Sequence, residues 1–231
     1  VILKQEGIVL KTIKYGETSI ILKLFSETAG IKSYIVKGIR KINKKGNSAN
    51  LFQIGTIIQF VTNQKPFQQI SQLYEYQISV PLFENHEHII KSCILNFAIE
   101  LVYKSIPEEE TLEDIYHFLR NFLLSLNQAS SNQLTYYPLY FCCKIAELLG
   151  YQISERNLIP MQVNTPLNTA ATDLLLHIAQ CKNINEINNL AFDYHARNQA
   201  LEWCVHYLGN HTHKFKQLKS LEIIRTILRS D

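Results

Sequence analysis

Lys37-Gly38-Ile39-Arg40-Lys41-Ile42-Asn43-Lys44-Lys45 is the densest basic stretch of this chain, with five cations in nine residues. It runs into Gly46-Asn47-Ser48, a turn-forming stretch. Loop cations of this kind neutralise phosphates without reading a base sequence. Tyr34, Phe60, Phe67, Tyr74 and Tyr76 stand on neighbouring segments of alternating polarity, and exposed aromatic rings are platforms on which bases stack. The candidate nucleic-acid contacts are therefore Lys37, Arg40, Lys41, Lys44 and Lys45, with Tyr34 and Phe67 as stacking rings. Each ring has a plainer alternative, because every second position of a strand faces a core.

Cys204, His206, His211 and His213 form the other constellation with chemical character. The spacing Cys-x-His-x4-His-x-His is not a zinc pattern. It falls where a helix is expected to end at Gly209, and histidines at a helix C-terminus favour the dipole without a metal. Cys204 and His206 are two apart, so on a helix they point in different directions and make a poor nucleophile–base pair. No Gly-rich phosphate loop, HExxH or GxSxG occurs. The five cysteines are odd in number and sit mostly in apolar helical patterns, as small buried thiols do. The expectation is no metal, no cofactor and no enzymatic activity.

The elements that must position the basic stretch follow from periodicity. Up to about Ser79 the period is two: Ile20, Leu22 and Leu24 alternate with Ile21, Lys23 and Phe25, and Lys32, Tyr34 and Val36 with Ser33, Ile35 and Lys37. Five strands are predicted near 5–14, 17–26, 31–39, 52–62 and 67–77. So many short strands in so short a segment point to a closed barrel, which leaves no bare edge. After Pro81 the period becomes helical. Ile89, Ile90, Cys93, Ile94, Phe97, Ala98, Leu101 and Val102 form one apolar stripe, and Leu112, Ile115, Leu119, Phe122, Leu123 and Leu126 a second. Glu108 to Glu110 precede that second helix and suit its N-terminus. Residues 138–149 are apolar nearly all round and should form the centre of a bundle ending at Gly150. Thr165-Pro166 is expected to open another helix, with two more near 194–208 and 214–229. The fold class is α+β in two domains: a five-stranded barrel over 1–80 and an all-α domain over 81–231.

Charge divides the chain at the same place. Residues 1–80 carry 11 Lys/Arg against 4 Asp/Glu, a net of +7, and the remainder a net of −4, within the whole chain's +3. A basic front module matches a polyanion partner. Apolar residues at 46% and charged residues at 19% describe an ordinary globular protein and not a disordered one. No apolar run approaches the roughly 20 residues that span a bilayer, and Val1-Ile2-Leu3-Lys4-Gln5-Glu6-Gly7 turns polar too soon for a secretory signal. No membrane partner is expected, and the compartment is expected to be the cytoplasm.

Several of these stretches together resemble the bacterial RecO family. They are Glu6-Gly7-Ile8-Val9-Leu10, Tyr15-Gly16-Glu17-Thr18-Ser19, Leu24-Phe25-Ser26 with Gly30, and Val36-Lys37-Gly38-Ile39-Arg40. Glu147-Leu148-Leu149-Gly150-Tyr151 is similar to the end of that family's central helix, and Tyr207-Leu208-Gly209 with Leu218-Lys219-Ser220 to its C-terminal region. The resemblance implies an oligonucleotide-binding (OB) fold and a helical domain for protein interaction and further DNA contact. It implies binding of single- and double-stranded DNA, annealing of complementary strands, and cooperation with RecR in loading RecA onto strands coated by single-stranded DNA-binding protein. It further implies a nucleoid-associated location in the cytoplasm. The coating protein's acidic, apolar C-terminal tail would dock on the helical domain, for which Arg120, Lys144, Lys219 and Arg225 are the candidate cations, with Lys214 and Lys216 beside them. Two departures stand out. Many members carry a four-cysteine zinc module after the central helix, whereas residues 151–200 here hold only Cys181. Many place Arg before the Phe of that helix, whereas Tyr140 precedes Phe141 here. The alternatives are an RNA-binding OB-fold protein with a helical dimerisation domain, and a Cys/His enzyme around Cys204.

Overall fold

The computed structural model describes residues 2–39, 51–63, 70–108, 110–158, 167–187, 190–212 and 217–229. They group into two compact units. One comprises Val1–Phe83 with Pro107–Leu123, the other Glu84–Ile106 with Leu124–Asp231. The period changes near Pro81, but residues 107–123 pack with the first unit.

The first unit is built on β1 (Ile2–Tyr15), β2 (Ser19–Ser26), β3 (Gly30–Val36), β4 (Ile57–Asn63) and β5 (Ile70–Val80). They close into a barrel in the order β1-β2-β3-β5-β4. All neighbours are antiparallel except β3 and β5. The first part of β1 pairs with β4 and its second part with β2, with a register shift between Val9 and Lys11. A bulge of this kind sharpens the twist and lets one long strand close a small barrel. The strand expected over 52–62 begins only at Ile57. Before it, Gly55 donates to the Val9 carbonyl at 2.7 Å and Thr56 to that of Gln53, a turn that a continuous strand cannot make. Val9, Leu22, Leu24, Tyr34, Ile58 and Phe60 are central to the barrel core. Each large apolar side chain so buried contributes about 1.5–3 kcal/mol.

The chain continues through α1 (Phe83–Glu87), α2 (Ile89–Ser105), α3 (Glu113–Gln128), α4 (Tyr137–Leu148), α5 (Glu155–Leu158), α6 (Thr169–Gln180), α7 (Tyr194–Thr212) and α8 (Lys219–Ile227). The first turns of α3 group with the barrel unit. In the helical unit, α4 is buried on almost every side and packs against α2, α6 and α7. It ends at Gly150, which takes φ +84, with Tyr151 N–H donating to the Ala146 carbonyl at 2.8 Å. That left-handed position favours glycine, and the bond back satisfies a carbonyl the helix end leaves open. Helix α6 is capped by Asn168, whose side chain accepts from Ala171 N–H at 2.7 Å. Thr165-Pro166, expected to open that helix, lies outside the described residues. Gly209 does not end α7. The helix runs on to Thr212, held there by the Thr212 hydroxyl donating to the Leu208 carbonyl and by the His211 ring lying on Tyr207.

The N-terminus of α8 is capped by α2. Glu100 accepts from Lys219 N–H at 3.1 Å, from Ser220 N–H at 2.8 Å and from the Ser220 hydroxyl at 2.5 Å, and it pairs with Lys104 at 2.8 Å. Partial burial raises the carboxyl's pKa, but these bonds outweigh it and hold the group down at about 2.

Candidate nucleic-acid interface

Cross-strand register determines which side chains of the barrel share a face. Lys11 stands opposite Lys23, and Lys23 opposite Ser33. The next row on that face is Ile13, Ile21 and Ile35, and the one after it Tyr15 and Ser19. Directly opposed residues of an antiparallel pair point to the same side. These rows face outward, because the alternating row of Leu22 and Tyr34 lies in the core. Lys11, Ile13 and Tyr15 are exposed, and so is Lys14, which register puts on the alternate side with Ile20 and Val36. Lys37 follows the last residue of β3 and is exposed too, and the β2–β3 register carried one step further sets it opposite Ser19. Ile39 and Phe52 are both buried and anchor the chain on either side of the 40–50 segment. Among the described residues Lys37 has no ion pair. The face thus offers apolar and aromatic surface with cations around it, which suits stacked bases and phosphates.

A second group of basic side chains in the same unit faces carboxylates. Lys23 Nζ lies 2.6 Å from both Glu108 oxygens, His117 Nε2 lies 3.0 Å from Glu27, and Arg120 Nε lies 2.7 Å from Glu6. Glu6 also accepts from the Tyr116 hydroxyl at 2.9 Å and from the Ser79 hydroxyl. Partial burial pushes the Glu6 carboxyl up, yet the bonds from Arg120, Ser79 and Tyr116 leave its pKa lowered. Burial, with the bond to Glu6, raises the Tyr116 phenol strongly.

Of the residues singled out from sequence, Lys37 sits at the edge of the basic face. Arg40, Lys41, Lys44, Lys45 and Phe67 lie outside the described residues. Tyr34 requires correction as a stacking ring. It is 1% exposed and packs edge-on against Phe60 at 5.1 Å, so no ring face is open to a base. Burial pushes its phenol up to about 12, and among the described residues its hydroxyl has no hydrogen-bond partner. Phe60 is equally buried, Tyr76 is half-buried against Phe52, and Tyr74 is exposed. Lys11, Ile13 and Tyr15 were not singled out, although their spacing of two is visible in the sequence.

The partner-peptide cations separate. Arg120, placed by periodicity in the helical domain, packs in the barrel unit and is taken by Glu6. Lys144 pairs with Glu147 at 2.5 Å. Lys219 is exposed, with its backbone N–H on Glu100. Lys214 and Lys216 lie outside the described residues. Arg225, 3.8 Å from Glu202, stands with Arg197 at a cleft floored by Tyr136, Leu139, Leu201 and Ile224, all within the helical unit. Tyr140 is buried, its hydroxyl 3.5 Å from the Lys182 carbonyl.

Cys204 is wholly buried, its Sγ 3.9 Å from that of Cys143, and burial pushes its thiol well up, whereas His206 on the same helix is exposed. The two therefore do not meet as nucleophile and base. His211 lies between Tyr207 and Tyr151, and His213 is outside the described residues. Among the described residues no three His, Cys, Asp or Glu side chains gather as metal ligands, and no helix is long and apolar enough to cross a membrane.

A closed five-stranded barrel with this strand order, followed by helices, defines a protein of the OB-fold class. The family models described as Recombination protein O N terminal and Recombination protein O C terminal match residues 1–81 and 86–170. The chain belongs to the RecO family. It is 27% identical to a DNA repair protein RecO of Flavobacterium psychrophilum, over 97% of this chain and 98% of the relative. It is 26% identical to that of Christiangramia forsetii, over 96% and 97%. Membership carries a role in DNA repair and recombination.

Proposed function

We propose that this chain is a non-enzymatic recombination mediator. Its barrel holds single-stranded DNA, also engages duplex, and anneals complementary strands. With RecR it helps RecA onto strands coated by single-stranded DNA-binding protein, at the nucleoid in the cytoplasm. One observation carries the DNA-binding part: the exposed residues Lys11, Ile13 and Tyr15 share a face with Lys37, the first cation of the five-cation sequence stretch 37–45. Phosphate contacts there are independent of base sequence, as annealing requires.

The coating protein's acidic, apolar tail is assigned to the cleft of the helical unit that Arg197 and Arg225 rim. An apolar floor with cations at its edge matches such a peptide. The test mixes two complementary strands, each coated with the cognate binding protein, with and without this chain. Faster annealing is the expected result. Equal rates in both mixtures contradict the proposal, and tighter binding to RNA than to DNA of the same sequence would favour an RNA-binding role.

A further inference from the structure

We infer that Glu108 is a built-in phosphate mimic, which occupies Lys23 at the margin of the nucleic-acid interface and gives it up when a strand binds. The inference rests on the DNA-binding reading above and adds a competitor to it.

Lys23 belongs to the outward face by register, opposite Lys11 on one side and Ser33 on the other. Its ammonium is chelated by the two Glu108 oxygens, both at 2.6 Å, much as two oxygens of a phosphate would chelate it. The Glu108 side chain is 53% exposed and that of Lys23 only 16%, so the carboxylate covers the cation from the solvent side. An exposed pair of this kind is weakly held. The backbone beneath it is fixed independently. Glu108 forms a parallel bridge with Ile31, and Gly30, at φ +62, lets the Glu110 carbonyl come so near that an added Cβ would lie 2.2 Å from it. The carboxylate can therefore swing away by side-chain rotation while the segment stays in place. The plainer account makes Glu108 a counter-ion that only relieves the repulsion of Lys11 and Lys23, since like charges directly opposed destabilise a sheet. Under that account its removal lowers stability and leaves DNA binding as it was.

Three variants of the full chain separate the accounts, each titrated with a labelled oligothymidylate over a range of salt. Glu108→Gln should bind several-fold tighter than the parent and steepen the slope of log affinity against log salt by about 0.7, one added phosphate contact. Glu108→Asp keeps the net charge but is too short to chelate Lys23 from the same backbone, so it should also bind tighter, which a general field effect would not produce. In a Lys23→Gln background, Glu108→Gln should bring no gain. Unchanged binding in both Glu108 variants overturns the inference, as does a gain that survives the loss of Lys23. Melting temperatures establish that each variant is folded. Lys37→Ala, measured alongside, tests the underlying reading separately: if it binds like the parent, the interface itself is misplaced.

Discussion

The barrel carries basic side chains in two kinds of company. Arg120 faces Glu6 at 2.7 Å and Lys23 faces Glu108 at 2.6 Å. Lys37 is exposed and belongs by register to the row of exposed Tyr15, and among the described residues no carboxylate pairs with it. The difference separates cations engaged by a carboxylate, of which Arg120 holds the fold and Lys23 is held in reserve, from a cation open to a ligand. An engaged cation must give up its carboxylate before it meets a phosphate, whereas an open one already has counterions to release.

The largest effect expected on the paired side comes from Arg120→Ala. It strips Glu6 of its charged donor and leaves a partly buried carboxylate with hydroxyl partners alone. A loss of about 1–2 kcal/mol is expected by chemical denaturation, with affinity for single strands within twofold of the parent's. A large loss of affinity would erase the distinction between the two groups.

Acid should act on paired carboxylates and spare the open face. Glu100 has a carboxyl lowered from 4.5 to about 2, so its contribution is present above pH 4.5 and is lost as the pH falls toward 2. Allowing for its partial exposure, that contribution is about 2 kcal/mol. Glu6, lowered in the same direction, adds to the same acid loss. Glu100→Gln should be less stable at neutral pH, and its stability should change less than the parent's between pH 5 and about 2. A parent whose stability is flat across that window would contradict the assignment.

Tyr34→Phe should gain up to about 1 kcal/mol, because it removes a buried hydroxyl without a partner among the described residues, and DNA affinity should not move. Weaker binding in that variant would return Tyr34 to the interface. The smallest effect is that of Lys37→Ala, which should flatten the salt slope by about 0.7 and leave the melting temperature unchanged.

Much of the fold was legible because period and punctuation are local. The change of period near Pro81, the apolar α4 and the stop at Gly150 all follow from neighbours in sequence. Tyr34 was misread because alternation groups residues by face without saying which face is inside. In the strand expected over 31–39 each set holds one lysine, Lys32 with Tyr34 and Lys37 with Ile35, so charge did not decide. The grouping of residues 107–123 with the barrel was not legible. An amphipathic stripe declares that a helix has a partner and not which one, and the Glu6–Arg120 bond joins residues 114 apart. The turn before β4 was visible in Gly55 but was absorbed into a strand. Four of the five loop cations remain placed by sequence alone.

The central claim is that these five cations of the 37–45 stretch carry most of the affinity for single strands. Replacing Lys37, Arg40, Lys41, Lys44 and Lys45 together by Ala, and measuring oligothymidylate binding across a range of salt, tests it most directly. The account predicts a slope shallower by up to about 3.5, weaker binding on every sequence, slower annealing, and a melting temperature near the parent's. A slope equal to the parent's in that folded variant would contradict it.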